Sequence, residues 1–355
     1  MNKNIGKIRS LLEEKDLDGI LLYKPENRRY VSGFTGSTGY VLITETDAKF
    51  ITDFRYIEQA TVQCTGFEII RISNTKTITD ILNESALFKL GVEEDFMTYG
   101  QSIEFTDKLA GTDIIPLEGA ILKLRSVKTP DEIRNIEKAA GIADEALEYI
   151  LGFIKPGLVE SDIALELEFF MRKKGAEGLS FDSIVASGVR SSLPHGVASD
   201  KTVEVGDIIT LDFGCVYNGY CSDMTRTVVL GKTDDRQKEI YDIVLRAQET
   251  SLEAVKPGIT GTELDSIARN IIDGSGYGQY FGHGLGHGVG LEVHELPRIS
   301  AHGDVPMESG MVITIEPGIY IPDFGGVRIE DLVLVTEDGC RVLSKSTKNL
   351  IELAI

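Results

Sequence analysis

The chain has 355 residues, of which 42% are apolar and 26% are charged, and its formal net charge is −20. This length is sufficient for two domains, each with its own hydrophobic core. No run approaches the roughly 18 consecutive apolar residues of a membrane span. The acidic charge disfavours a nucleic-acid partner, because the electrostatic contribution to binding would be repulsive. The composition predicts a soluble globular protein that binds neither a membrane nor nucleic acid.

The N-terminal stretch MNKNIGKIRSLLEEKDLDGILLY mixes both signs of charge with leucines at helical spacing. It therefore differs from the apolar core of a secretory signal. The chain has four cysteines, too few for a disulfide scaffold and without the paired CxxC spacing of a zinc site. We expect a cytoplasmic protein with reduced thiols.

Helical and strand-like patterns alternate from residue 1 to about residue 120. DGILLY and GYVLIT are typical of buried strands, whereas SLLEEK and TITDILNESALF have helical spacing. This alternation predicts an α/β domain. Thr129, Pro130 and Glu132 then form a capping-box pattern at the start of a long helix. We predict an N-terminal domain at 1–124 and a second domain at 125–355.

The second domain contains an internal repeat. KPGLVESDI, starting at Lys155, recurs as KPGITGTEL at Lys256, and EVGDIITLDFG recurs as ESGMVITIEPG. The second pair aligns Asp212 with Glu316. Two matches in the same order, at similar offsets, predict two equivalent halves related by a pseudo-twofold axis.

Each half carries two acidic residues on strand-like segments. In the first half, Asn218-Gly219 predicts a tight hairpin turn, which would place Asp223 diagonal to Asp212 on one face of the sheet. The second half has Glu316 in VITIEPGIY and Glu330 in GVRIEDLVLV. The acids of each half should therefore converge.

Four carboxylates on apolar strands are costly to bury without compensating positive charge. Two divalent cations about 3.5–4 Å apart, as in two-metal hydrolases, would balance them. Phe281–Glu295, FGHGLGHGVGLEVHE, holds three of the five histidines and could supply an imidazole. Oxygen-rich ligation with one nitrogen favours Mn²⁺ or Co²⁺, with Zn²⁺ and Fe²⁺ remaining open.

These motifs resemble the pita-bread metallopeptidases, the group that includes methionine aminopeptidase, aminopeptidase P and prolidase. The resemblance rests on LDFG, SDMTRT, GHGVGLEVHE, ITIEPGIY and VRIED, and it covers residues 125–355. The segment PENRRYVSGFTGSTGYVLIT resembles the first domain of the aminopeptidase P and prolidase branch. The implied fold is an α/β N-terminal domain followed by an α+β pita-bread catalytic domain with an internal pseudo-twofold repeat.

The resemblance also implies roles for individual residues. Asp212 would hold one metal, His287 and Glu316 the other, and Asp223 and Glu330 would bridge both. His287 is preferred as the ligand because it stands seven residues before His294, the spacing found in the family.

Further residues of the family pattern would act on the substrate. Glu316 would also carry a proton from water to the leaving nitrogen, and His195 and His294 would donate hydrogen bonds to the substrate. Arg328 would orient the carboxylates, and His283 would line the site.

The predicted activity is hydrolysis of the Xaa-Pro bond at the N-terminus of a peptide or dipeptide. Arg298 in HELPRIS is a candidate partner for the proline carboxylate of a dipeptide, although it could equally be structural. The choice between aminopeptidase P and prolidase therefore stays open. Alternatives are a methionine aminopeptidase-like activity and a metal-free homologue, either a creatinase-type hydrolase or a binding protein. The resemblance also suggests a homodimer.

Overall fold

A computed structural model describes residues 3–109 and 111–355 of the chain. The chain forms two compact units, Met1–Arg125 and Ser126–Ile355. None of the helices in these described ranges combines the length and apolar content needed to traverse a lipid bilayer.

The first unit alternates helices and strands around one mixed sheet. Its elements are α1 (Lys3–Lys15), β1 (Gly19–Leu22), α2 (Pro25–Ser32), β2 (Tyr40–Thr44), β3 (Ala48–Thr52), α3 (Ile57–Gln63), β4 (Glu68–Arg71), α4 (Ile78–Glu84), β5 (Lys89–Val92), α5 (Tyr99–Lys108), β6 (Asp113–Pro116) and α6 (Ala120–Ser126). The strand order is β4-β3-β2-β1-β5-β6. Strand β2 is antiparallel to both of its neighbours, while the remaining pairs are parallel. The predicted α/β class of this unit is confirmed.

The second unit surrounds two larger sheets with long helices. Its elements are α7 (Pro130–Phe153), α8 (Glu160–Lys173), β7 (Gly178–Leu179), β8 (Ile184–Ser187), β9 (Ile208–Phe213), β10 (Cys215–Tyr217), β11 (Tyr220–Cys221), β12 (Met224–Leu230), α9 (Asp235–Ala254), α10 (Gly261–Gly274), β13 (Gly286–Gly288), β14 (Glu295–Ile299), β15 (Val312–Ile315), β16 (Gly318–Ile321), β17 (Gly325–Arg328), β18 (Asp331–Val335), β19 (Cys340–Val342) and β20 (Ile351–Leu353). The sheet orders are β20-β12-β9-β8 and β14-β13-β15-β18-β19. Helix α7 begins with the predicted capping box between Thr129 and Glu132.

The two halves of the second unit repeat one arrangement. The run β8-β9-β12 in the first sheet corresponds to β13-β15-β18 in the second. The repeated KPG segments make equivalent backbone contacts, since Gly157 N donates to Val203 O at 2.9 Å and Gly258 N donates to Met307 O at 2.8 Å. The predicted internal repeat is therefore confirmed in three dimensions.

The hairpin of the first half has the predicted register. Tyr217 pairs with Tyr220, and both Asn218 and Gly219 have positive φ, as a tight hairpin turn requires. A Cβ on Gly214 would lie 1.9 Å from Ser222 O. The glycine thus admits the backbone of the returning strand.

Candidate metal centre

Four strand ends bring the acidic side chains together. Asp212 lies in β9, and Asp223 immediately precedes the antiparallel strand β12. Glu316 immediately follows β15, and Glu330 lies between β17 and β18. All four side chains are mostly or fully withdrawn from solvent.

His287 completes the cluster from the glycine-rich segment. Its Nε2 lies 3.2 Å from Glu316 Oε1 and 3.6 Å from Asp223 Oδ2. One potential ligand atom from each of Asp223, His287 and Glu330 falls within a group whose members are all within 4.8 Å of one another. Thr225 Oγ1 also donates a 2.7 Å hydrogen bond to Glu330 Oε2. The donors form one compact group.

Arg328 is the buried cation beside the carboxylates. It donates to Asp212 Oδ2, to the Tyr320 hydroxyl at 2.7 Å, to Thr225 Oγ1 at 3.0 Å and to Pro194 O at 3.2 Å. Burial nevertheless raises the pKa of Asp212, although the guanidinium opposes that shift. One arginine does not balance four acidic groups.

The pKa values of the other three acids are shifted in different directions. Burial and the charge of Glu330 raise the pKa of Asp223 well above its ordinary value, and burial with the charge of Glu316 does the same for Glu330. For Glu316, burial raises the pKa, but the hydrogen bond and charge of His287 outweigh it and lower the pKa to about 2. For His287, burial lowers the pKa, but Glu316 outweighs it and raises the value. Added positive charge at this site would stabilise the ionised carboxylates.

Two buried carboxylate oxygens indicate where that charge belongs. Asp212 Oδ1 and Glu330 Oε1 have no hydrogen-bond partner among the described residues. Buried polar atoms are ordinarily satisfied, so each oxygen has a free position for a ligand. Four carboxylates and one imidazole are a suitable donor set for divalent cations. The residues present therefore fit the metals that the sequence pattern implies.

Three further histidines, His195, His283 and His294, lie around this cluster. His283 Nε2 lies 2.9 Å from the Tyr320 hydroxyl. The rings of His287 and His294 are 4.2 Å apart and meet edge to face. His195 is exposed on the segment after β8. The glycine-rich segment therefore directs one histidine at the carboxylates and the other two at the surrounding wall.

The four acidic side chains, Arg328 and the four histidines described above line one cavity of about 430 Å³. Its lining includes every residue singled out from the sequence: His195, Asp212, Asp223, His283, His287, His294, Arg298, Glu316, Arg328 and Glu330. Arg298 lies on β14 and is exposed, and its guanidinium has no hydrogen-bond partner among the described residues. Phe181 and Ile184 add apolar surface to the same wall.

Sequence reasoning missed three hydroxyl groups that organise the acids. Thr314 Oγ1 donates to Glu316 Oε1 at 3.0 Å and accepts from His287 N at 3.0 Å. Thr225 Oγ1 and the Tyr320 hydroxyl each accept a hydrogen bond from Arg328. The two threonines could have been predicted, because each lies two residues from an acid and therefore on the same face of its strand.

The fold and this donor set define a metallopeptidase. Residues 134–337 match the model of metallopeptidase family M24, and residues 4–127 match the creatinase/prolidase N-terminal domain. The chain therefore belongs to metallopeptidase family M24, as the resemblance predicted.

Proteins with named activities are similar over the whole chain. The Xaa-Pro dipeptidase of Pyrococcus horikoshii is 44% identical over 99% of both chains. The structure of the Xaa-Pro dipeptidase from Bacillus anthracis is 50% identical, with a TM-score of 0.96 over 99% of both chains. The X-Pro aminopeptidase from Thermotoga maritima is 40% identical, with a TM-score of 0.89 over 96% of this chain and 99% of that one.

Proposed function

We propose that this chain is a dinuclear metal-dependent exopeptidase that hydrolyses the Xaa-Pro bond at the N-terminus of dipeptides, and so acts as a prolidase. The observation that carries the proposal is the convergence of Asp212, Asp223, His287, Glu316 and Glu330 on one cavity. Relatives named as Xaa-Pro dipeptidases support this substrate class. The creatinase/prolidase-type first domain argues against a methionine aminopeptidase.

The ligands divide between two cations in this proposal. Asp212 would hold one cation, His287 and Glu316 would hold the other, and Asp223 and Glu330 would be shared by both. The oxygen-rich donor set favours Mn²⁺ or Co²⁺. When bound, the cations lower the pKa of water and polarise the scissile carbonyl. The intact set of five donors argues against a metal-free homologue.

Protein groups handle protons and orientation in the reaction. Glu316 accepts a proton from the attacking water and passes it to the proline nitrogen, which must be protonated to leave. His195 and His294 donate hydrogen bonds to the oxyanion and the substrate backbone. Arg328 fixes Asp212, and Tyr320 holds His283 at the wall of the cavity.

Arg298 supports the dipeptidase assignment over an aminopeptidase. Its exposed guanidinium lines the cavity and is available to a substrate carboxylate. A guanidinium binds a carboxylate in a bidentate, geometrically selective way. A dipeptide places the proline carboxylate next to the scissile bond, whereas a longer peptide carries an amide there.

The proposal extends to the state of the protein in the cell. We assign residues 1–124 to a prolidase-type N-terminal domain and 125–355 to the catalytic domain, and we propose a homodimer. The four free cysteines suit a reducing compartment, so we place the protein in the cytoplasm.

The deciding experiment compares substrates of two lengths. Protein loaded with Mn²⁺ or Co²⁺ is assayed for proline release from Leu-Pro, and in parallel for cleavage of a pentapeptide that begins Leu-Pro. Leu-Ala controls for proline dependence, and a chelator-treated sample controls for metal dependence. Cleavage of Leu-Pro alone is expected. Equal efficiency on both proline substrates would exclude a strict dipeptidase, and no proline release with either metal would overturn the peptidase assignment.

A further inference from the structure

The segment that carries His195 has little hydrophobic anchoring of its own. It runs from residue 188 to residue 198, beginning with a 3₁₀ turn at Gly188–Ser192. Three of its apolar side chains are about half exposed: Val189 at 51%, Leu193 at 50% and Val197 at 49%. Within the segment, Ala198 at its end packs against the hydrophobic core, so most of the anchoring comes from polar contacts.

One buried carboxylate binds both ends of this segment. Glu160, the first residue of α8, is 0% exposed. Its Oε1 accepts from Ser187 N at 2.7 Å and from Ser187 Oγ at 2.8 Å. Its Oε2 accepts from Ser199 N at 3.1 Å and from Ser199 Oγ at 2.7 Å. Glu160 thus closes the loop at its base.

Arg190 joins the same carboxylate to the interior of the segment. Its Nη1 donates to Glu160, and its Nη2 donates to Val197 O at 2.9 Å. The Arg190 side chain is 27% exposed, and the Glu160 side chain is fully buried. A charge-assisted pair with a fully buried partner is stronger than a surface ion pair. Glu160 therefore binds the two residues that flank the segment and one residue within it.

The far side of the segment contacts strand β17. Arg328 donates to Pro194 O at 3.2 Å, next to His195, and Gly326 N donates to Ser191 Oγ at 2.9 Å. The segment is consequently held between Glu160 at its base and the strand that carries Arg328.

The internal repeat shows that the equivalent helix of the second half forms without this glutamate. Glu160 corresponds to Gly261 in the second half, 101 residues later. A Cβ on Gly261 would lie 2.1 Å from Arg298 O, so a side chain is excluded there. The same helix start thus tolerates a residue without any carboxylate, and the glutamate serves something particular to the first half.

We infer that Glu160 is a positioning residue for His195: its carboxylate clamps the 188–198 segment and so holds the imidazole at the cavity wall. The inference rests on the proposed function, in which His195 donates a hydrogen bond to the substrate. Its anchoring part concerns only the protein chain and can be tested without turnover.

The first test measures backbone hydrogen exchange of the full-length protein loaded with Mn²⁺. Glu160→Gln keeps the size of the side chain but replaces one carboxylate oxygen with an NH₂ group. That group cannot accept the hydrogen bonds that the serines donate. Peptides that cover 188–198 should exchange at least ~10-fold faster than in wild type, while peptides from β12 and β15 should not change. Asp162→Asn, an exposed acid in the same helical turn, is the matched control. Unchanged exchange in the segment would overturn the clamp.

The second test is a double-mutant cycle on Leu-Pro hydrolysis. Glu160→Gln should lower kcat by about 10- to 100-fold, the loss expected when a reacting group is displaced by ~1 Å. Bound metal should match that of wild type. In a His195→Ala background, Glu160→Gln should have an effect within about 2-fold, because both changes remove the same contact. Multiplicative losses would refute action through His195.

A third variant covers the case in which Glu160→Gln does not fold. Ser199→Ala removes one of the hydroxyl donors and leaves Ser199 N bound to the carboxylate. It should accelerate hydrogen exchange in the same segment and lower kcat by less than Glu160→Gln does. If wild type does not cleave Leu-Pro, the proposed function fails, while the exchange experiment still decides the clamp.

Discussion

The imidazole Nε2 of His283 lies 2.9 Å from the hydroxyl of Tyr320. Tyr320 in turn accepts from Arg328 at 2.7 Å. These hydrogen bonds hold the His283 ring at the wall of the cavity. The His287 ring, four residues further along the same glycine-rich segment, instead faces Glu316 and Asp223.

The two histidines should therefore differ in their effect on metal binding. His287→Ala removes a direct donor and should weaken Mn²⁺ or Co²⁺ binding by more than about 100-fold, whereas His283→Ala should cost less than about 10-fold. Titration calorimetry with elemental analysis of the dialysed proteins measures both values. Equal losses in the two variants would contradict the assignment of His287 as the ligand.

Arg328 is expected to be essential for the stability of the metal-free protein. Arg328→Leu would leave the buried Asp212 carboxylate without its cationic partner and should lower the free energy of unfolding by about 3–5 kcal/mol. Urea unfolding of chelator-treated protein is the measurement. Lys108→Leu, which breaks the exposed pair with Glu104, is the control and should cost under about 1 kcal/mol. Equal costs for the two variants would refute a special role for Arg328.

The pairing of acids within each half could be predicted from the sequence. Asn218-Gly219 determined the hairpin register, and strand alternation then placed Asp223 near Asp212. The repeat predicted the equivalent Glu316 and Glu330 without any knowledge of a fold. These inferences succeeded because they depend on short-range geometry.

Contacts between the halves could not be predicted in the same way. Thr225 Oγ1 donates to Glu330 across 105 positions of sequence, and Arg328 reaches Pro194 across 134 positions. Such pairs depend on how two sheets pack against each other. The hydrophobic periodicity of the sequence does not reveal that packing. The clamp at Glu160 was missed for a related reason, since nothing local marks that glutamate as buried.

The buried ion pair between Lys128 and Glu295 should stabilise the loop that carries His294. The two side chains are each 1% exposed, with Nζ and Oε2 3.3 Å apart, and Glu295 Oε1 also accepts from Glu292 N. Lys128→Met should cost about 3–5 kcal/mol of unfolding free energy, and adding Glu295→Gln should recover part of it. Chemical unfolding of the single and double variants tests this. Lys238→Met breaks an exposed pair as a control and should cost about 0.5 kcal/mol.

Arg298 should discriminate between a free and a blocked proline carboxylate. Arg298→Gln is expected to raise the KM for Leu-Pro by about 10- to 100-fold, the value of a hydrogen bond to a charged group. The KM for Leu-Pro amide should change little, because that substrate lacks the carboxylate. Steady-state kinetics on both substrates provide the comparison. A parallel loss on both would assign the arginine a structural role.

Burial of the Cys64 thiol should make the stability of the protein depend on alkaline pH. Burial raises the pKa of Cys64 to about 11, although Ser32 and Arg28 partly oppose it. The raised value means that the folded state favours the protonated thiol. This contribution is fully present below the unfolded-state pKa of about 8.5 and is lost as the pH rises through about 11.

A thiol-free variant isolates this contribution from the other groups that titrate at high pH. The unfolding free energy of wild type should fall more steeply between about pH 8.5 and 11 than that of Cys64→Ala, because the alanine has no proton to lose. Urea unfolding at several pH values in this window, under reducing conditions, gives the two slopes. Thr65→Ala, an exposed neighbour that does not ionise, should keep the wild-type slope. Parallel slopes for wild type and Cys64→Ala would mean that the thiol ionises as readily in the folded chain as in the unfolded one.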